Sequence, residues 1–526
     1  MIAQVQNPVP EKKGEGAVPW GAQRWVLLGA VALYVAMRVY HGAAICMDGD
    51  EIFSVGVATH TWKGLLTAVG ADSIHPPLFY FLLKLWIFLG NDSLFWVRLL
   101  PTLFSSLAII PVVLLGREFH LRPLEINSTI AVAALHPFLV YYSQHVRMYT
   151  LLMLCALTSL WVFHACIRPG RRSFTFRYAA LTLVNIVSVY AHYYGWLIIG
   201  LECWYLIFWK REHLKRFLVS SVLVLAAFTP WIYWAGKYIY AKGGLASNLE
   251  WIQKPDAGAL AWFFVDLAGF GDLQSIGKQA ITGLALLVLA AAWAAWIERR
   301  RLHTGHFLYM ARFLLFFVLG SVTVAFTASR LLPHSIWGHR HMVYLVFPIL
   351  MVVVTAYYRL NSRAVLFTGG VLFAVWAALV IQHHLKGDDK KTPFDALVIQ
   401  MLAQEEGNPN PVPFYSVDKY LHYPVWFYLD VLKAGKITGF GSPLPADRSK
   451  LAAEAARIDI TVHQVSIDAA RGAHFWVGYS SAWREKLSPE AVLQNRGCRT
   501  GPDVTVRDRY HSSTIFPVWC SPSSAQ

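Results

Sequence analysis

Charge is what this chain has least of. Of its 526 residues only 15% are Asp, Glu, Lys or Arg, while 56% are hydrophobic. Soluble globular proteins carry about a quarter charged residues, so a surface this short of charge has to face lipid. Cysteine is scarce as well, six in all, and no CxxC or mixed Cys/His spacing builds a structural zinc site. Cys155, Cys166 and Cys203 fall inside apolar runs and read as small core residues. Cys46 lies next to an acidic cluster, outside both groups, and a bond between Cys498 and Cys520 is left open. No Gly-x-x-x-x-Gly-Lys-Ser/Thr loop occurs, which argues against ATP or a nucleotide-sugar donor. Nor is a cleavable leader expected: the first apolar run follows a polar tail, carries Arg38 and lacks a small-residue cleavage site. The net charge of +15 does not signal nucleic acid, because the basic residues sit in short clusters between apolar runs, the pattern of cytoplasmic loops.

What the chain has in abundance is membrane-length apolar sequence and interfacial aromatics, 21 Trp and 24 Tyr. Crossing the hydrocarbon core takes about 20 apolar residues. Spans are expected near 24–41, 96–116, 126–143, 148–167, 178–192, 194–209, 217–236, 278–297, 307–327, 342–358 and 364–383. Together they make an α-helical polytopic membrane protein with about 11 transmembrane helices. Arg117 and Arg122, Arg168 to Arg177, Lys210 to Arg216, Arg299 to Arg301, and Arg359 with Arg363 then fall on one side, and the positive-inside rule makes that side cytoplasmic. Pro77–Leu89 is too short and too interrupted for a span and reads as interfacial, as does Ala257–Phe270. From about residue 386 the composition turns polar. Val412–Val417, His474–Tyr479 and Thr514–Trp519 read as strands, Pro445–Ile458 and Pro489–Gln494 as helices. The expected organisation is a tail over 1–23, a membrane domain over 24–385 with an outer loop at 42–95, and a C-terminal extracytoplasmic α/β domain over 386–526.

Four polar constellations recur at the outer boundaries. Asp48, Asp50 and Glu51 are three carboxylates within four residues, costly to desolvate at a membrane edge. His75-Pro76-Pro77 with Tyr80 comes next, then Tyr141-Tyr142-Ser143-Gln144-His145-Val146-Arg147-Met148-Tyr149. The fourth joins His192-Tyr193-Tyr194 to Trp337-Gly338-His339-Arg340-His341. Inner boundaries carry almost only Lys and Arg, so the asymmetry itself marks a site on the outer face.

The order Asp50-Glu51, His75-Pro-Pro-Leu-Phe-Tyr80, then Ser93 to Arg98 with Leu99-Leu-Pro101, resembles the start of bacterial membrane glycosyltransferases of the GT-C superfamily. It is most similar to the protein O-mannosyltransferase and aminoarabinose-transferase-like group, in which Tyr-Tyr-Ser-Gln-Glu-Ala-Arg-Met-Tyr corresponds to residues 141–149. His192-Tyr193-Tyr194-Gly195 and Arg340 with Tyr344 and Pro348 extend the likeness over roughly 24–383. Two departures stand out: His145 and Val146 replace that group's Glu-Ala, and Asp72 to His75 is one residue longer than its Asp-x-His-Pro-Pro.

The resemblance implies an inverting transfer of a sugar from a polyprenyl-phosphate donor to a lipid, glycan or protein acceptor. The reaction would take place at the outer face of the bacterial inner membrane, without nucleic acid. By motif position Asp50 is the expected general base and Glu51 an orienting carboxylate, with Asp48 in reserve. Arg147 and Arg340 are the expected phosphate contacts, because a guanidinium fork matches phosphate oxygens and stays charged. Arg98, His75, Tyr149 and His192 follow. No cofactor is expected, although a divalent ion held by Asp50 and Glu51 is not excluded. The competing reading is a multi-pass membrane transporter or lipid flippase, which would place its ionisable groups on broken helices near the midplane.

Overall fold

In the computed structural model, residues 20–43, 46–168, 174–241, 252–270, 305–360, 362–386, 393–408, 410, 412–417, 419–433, 460–464, 470, 472–481, 488–507 and 512–521 are described. The expected span at 278–297 and the expected helix Pro445–Ile458 lie outside them. Among the described residues up to 386, apolar periodicity produces helices. In order they are α1 (Trp20–Val39), α2 (Gly49–Thr59), α3 (Trp62–Asp72), α4 (Leu78–Leu89), α5 (Leu94–Leu107) and α6 (Ile109–Glu118). Next come α7 (Pro123–Leu135), α8 (Pro137–Ser143), α9 (Tyr149–Ile167), α10 (Phe174–Ala191), α11 (Tyr194–Trp209) and α12 (Leu214–Ala241). After these stand α13 (Ala257–Leu267), α14 (Gly305–Leu331), a 3-10 turn at His339–Leu345, α15 (Val346–Arg359) and α16 (Arg363–Lys386).

Every expected span within the described residues therefore coincides with a helix or a helix pair. Among the described residues six helical segments are long and apolar enough to cross a membrane, and up to seven if the bent pair α7–α8 is one span. The segment Tyr149–Ile167 is 78% buried, whereas Arg363–Gln382 is only 11% buried. That contrast puts α9 at the centre of the bundle and α16 on its periphery. The short α4 has 12 residues, about 18 Å at 1.5 Å per residue, too little for the hydrocarbon core.

The expected continuous span at 126–143 is broken. Helices α7 and α8 meet at 67°, because Pro137 supplies no N–H and pushes His136 into extended backbone, φ −67° and ψ 113°. The carbonyls left at the end of α7 are taken up by Arg38, whose guanidinium donates to Ala133 O at 3.0 Å and Ala134 O at 3.2 Å. A cation at a helix C-terminus is favoured by the macrodipole, and in a dry bundle the exposed carbonyls need a donor.

The C-terminal part contains α17 (Phe394–Gln404), β1 (Val412–Ser416), α18 (Lys419–Lys433), β2 (Ile460–Gln464), β3 (His474–Ser480), α19 (Pro489–Asn495), β4 (Arg499–Thr500), β5 (Val504–Arg507) and β6 (Ser512–Trp519). The sheet runs in the order β2-β1-β3-β6-β4, with β5 also on β6. Pairing is parallel from β2 to β1 and from β1 to β3, then antiparallel onto β6. Alternation of side chains splits its faces. Trp476 and Ile515 join the large core that continues into the membrane helices, while Phe475, Val477, Phe516 and Val518 form a second cluster on the far side. Cys498 and Cys520 are disulfide-bonded beside that second cluster. The large core joins the two parts of the molecule through α18, which rests on α2.

Candidate active site

The first acidic residues are arranged by helix capping. Asp48 is the N-cap of α2: its side chain accepts from the Glu51 N–H at 2.9 Å, and the Glu51 carboxylate accepts from the Asp48 N–H at 3.3 Å. This reciprocal capping box satisfies two otherwise unpaired donors. Asp48 Oδ2 also lies 2.7 Å from His145 Nε2. The His145 ring is stacked between Tyr141 and Tyr149, with centroids 5.9 and 5.7 Å away. His145 thus braces the N-cap of the helix that carries Asp50.

Glu51 and Asp50 are neighbours in sequence but not in role. Glu51 is fully buried. Its oxygens accept from Arg98 Nη2 at 3.1 Å and from the Val146 N–H at 2.9 Å. Arg98 also donates to Gly42 O and Cys46 O, both at 3.0 Å. The structure therefore places Arg98 with Glu51 and the backbone beneath the acidic segment. Asp48, Glu51 and His145 approach closely enough for an ion, but Glu51 already holds donors at both oxygens, which fits a cap and clamp better than a metal ligand.

Asp50 points the other way and keeps 40% of its side chain exposed. Arg340 Nη1 is 2.9 Å from its Oδ2, and Arg147 Nη2 is 4.0 Å from its Oδ1. Burial pulls the Asp50 carboxyl up, but the guanidiniums of Arg147 and Arg340 pull harder, and it is held below the ordinary carboxylate value. Arg147 is buried and fans out to Asp50 O, Ser54 Oγ, Tyr80 Oη and His75 Nδ1, each at 3.3 Å. Burial, and after it the Arg147 charge, keeps the His75 imidazole neutral, well below the ordinary histidine value. Tyr149, at the start of α9, lies under the Arg340 guanidinium at 5.8 Å from its ring centroid. His192 sits 5.3 Å from His75 between ring centroids.

Asp50, Arg147, Arg340, His75, Tyr149 and His192 are thus brought together, while Glu51 and Arg98 form the support beside them. Three supporting contacts were missed from sequence. His339 Nδ1 lies 2.7 Å from the buried Asp266 of α13, which fixes the turn presenting Arg340. His341, named in the fourth constellation, was not counted as a site residue, yet its ring is 4.7 Å from His192. Tyr428 of α18 accepts from the Met47 N–H at 2.8 Å and donates to the Met47 carbonyl at 3.0 Å. The pairing of His339 with an acid could have been sought from the Asp in an otherwise apolar α13; the Tyr428 contact leaves no local signal.

No family model and no curated protein matches the sequence. Solved structures do. ArnT from Cupriavidus metallidurans bound to undecaprenyl phosphate is similar over 97% of this chain and 100% of its own, with 12% identity and a TM-score of 0.52. The same protein in its apo state matches over 96% and 99%, again with 12% identity and a TM-score of 0.52. End-to-end coverage at so low an identity means that architecture is shared where most side chains are not, and the chain has the overall fold of those two structures.

Proposed function

We propose that this protein is an inverting glycosyltransferase that moves a sugar from a polyprenyl-phosphate donor to an acceptor hydroxyl at the outer face of the membrane. The observation that carries the reading is the convergence of two arginines on one partly exposed carboxylate, Asp50. The shared fold, and a similar protein holding undecaprenyl phosphate, support it.

Asp50 accepts the proton of the acceptor hydroxyl as its oxygen attacks the anomeric carbon. The bond from that carbon to the phosphate oxygen breaks, its electron pair leaves with the phosphate, and the sugar's configuration inverts. Arg147 and Arg340 stabilise the charge that grows on the leaving phosphate. Arg340 serves two partners in turn. Without donor it pairs with Asp50 and weakens that base; a phosphate that engages Arg340 relaxes its pull and raises the basicity of Asp50 when substrate is present. Tyr149 supports Arg340 through its ring face, and Arg98 and Glu51 hold the α2 start in place. Basic residues gathered in the alternate loops support an extracytoplasmic site, as does a disulfide in the C-terminal part, which fits an oxidising compartment.

The test is purified protein supplied with labelled polyprenyl-phosphate sugars and candidate acceptors. Release of free polyprenyl phosphate together with sugar transfer is expected. Movement of intact lipid-linked sugar across vesicles, with no release, would replace this reading with a flippase.

A further inference from the structure

Ser159 of α9, Asn185 of α10 and Glu202 of α11 meet inside the helix bundle, all three buried. Ser159 Oγ lies 2.7 Å from Asn185 Oδ1 and 2.6 Å from Glu202 Oε1. Asn185 Nδ2 closes the ring at 3.1 Å from Glu202 Oε2. Among the described residues no cation pairs with Glu202, whose partners are these two neutral side chains. An ionised carboxylate left in a dry bundle without a counter-charge is costly, and an acid kept at such a depth calls for a role.

Counting protons around the ring settles its charge. A serine hydroxyl has one hydrogen to donate, yet Ser159 Oγ faces two acceptor oxygens, on Asn185 and on Glu202. With Glu202 ionised, one of those contacts would set lone pair against lone pair. Turning the Asn185 amide over only moves the conflict: its nitrogen then faces Ser159, and its oxygen faces Glu202 Oε2. One proton on Glu202 resolves either arrangement. In the first, the acid donates from Oε1 to Ser159, the serine donates to Asn185 Oδ1, and the amide N–H returns to Oε2. The donors then run one way round the ring, and bonds so arranged strengthen one another.

The ring ties together three helices whose outer ends reach the candidate site. Tyr149 opens α9, His192 follows α10 and Tyr194 opens α11. At 1.5 Å per residue, Ser159, Asn185 and Glu202 lie about 15, 10 and 12 Å along the chain from those three residues. Sliding any one helix would break two of the three bonds. We propose that Glu202 is kept as a neutral carboxylic acid whose proton closes this ring, and that it is a positioning residue fixing the register of α9, α10 and α11 beneath the site. The positioning role rests on the reading of that site as a glycosyltransferase; the protonated ring does not.

The experiment compares full-length variants in detergent at neutral pH. An infrared difference spectrum, unaltered protein minus Glu202→Gln, should contain the carbonyl stretch of a protonated carboxylic acid. Glutamine has the shape of the neutral acid and keeps a donor and an acceptor, so Glu202→Gln should retain both the thermal midpoint and sugar transfer. Glu202→Leu leaves the serine and the amide without their partner and should lower the midpoint. Turnover per folded molecule should fall by about tenfold to a hundredfold, the scale of displacing reacting groups by about 1 Å. Ser159→Ala, which removes only a hydroxyl, should lower turnover in the same direction and decides the matter if Glu202→Leu does not fold. A difference spectrum with a carboxylate band and no acid band overturns the protonated ring, and so does a Glu202→Gln variant as impaired as Ser159→Ala. Full turnover in folded Glu202→Leu or Ser159→Ala overturns the positioning role. If the unaltered protein transfers no sugar from any polyprenyl-phosphate donor, the functional reading fails and the positioning role with it, while the infrared band still decides the ring.

Discussion

The two flanks of the α2 N-terminus use the same chemistry, a carboxylate against guanidinium, to opposite ends. On one flank Glu51 and Arg98 are sealed at 0% and 3% exposure, and backbone groups occupy their remaining positions. On the other, Asp50 is shared by Arg340 at 24% exposure and by the buried Arg147. A sealed ion pair fixes geometry and has nothing left to give a substrate. An open pair in which two cations crowd one acid is an unstable division of charge, which an incoming anion can redistribute. Exposure and stoichiometry, rather than residue type, separate scaffold from reagent.

The comparison can be broken first at its sealed flank. Glu51→Gln leaves Arg98 buried beside no counter-charge, and stability should fall by about 3 kcal/mol or more, read as a lower denaturation midpoint in detergent. A variant that unfolds like the unaltered protein would mean that Glu51 does not clamp the segment. On the open flank, Asp50→Asn should leave the midpoint nearly unchanged and lower turnover by about 10²-fold, the scale of general-base catalysis. Wild-type turnover in that variant would move the base elsewhere.

A finer test uses pH. The folded pKa of Asp50 lies below its ordinary 3.8, so the ionised base persists into more acidic solution than a free carboxylate would. Its charge-pair contribution to folding is complete above the unfolded value and is lost as pH falls through the folded one. Arg340→Gln removes one of the two depressing charges. The acid limb of kcat/KM, which reports the free enzyme, should move to higher pH. A limb that stays put would show that Arg340 does not face Asp50 in solution.

Much of the fold was legible because hydropathy in a membrane chain is a one-dimensional signal: runs such as Tyr149–Ile167 must be helical to satisfy their own backbone in lipid. The candidate site was legible where its residues interrupt apolar sequence, Arg147 and Arg340 at span ends and Asp50 in the outer loop that follows the first span. What failed to show has a shared cause. The break at His136 depended on weighing Pro137 above the surrounding apolar run. The strand Ile460–Gln464 is short and polar and exists because β1 pairs with it. The separation of Asp50 from Glu51 depends on α2 being helical, which turns successive residues by about 100°.

The Tyr428 contact has a consequence for the way the protein is made. Met47 leaves the ribosome 381 residues before the tyrosine that fastens its amide and its carbonyl. Contacts this distant in sequence form late, because the loop between them has to be ordered first. The acidic segment can thus be synthesised, inserted and packed against Arg98 while still lacking its outer fastening. It becomes fully set only when α18 has docked. A nascent or truncated chain would hold Asp50, Arg147 and Arg340 without the Tyr428 fastening at Met47.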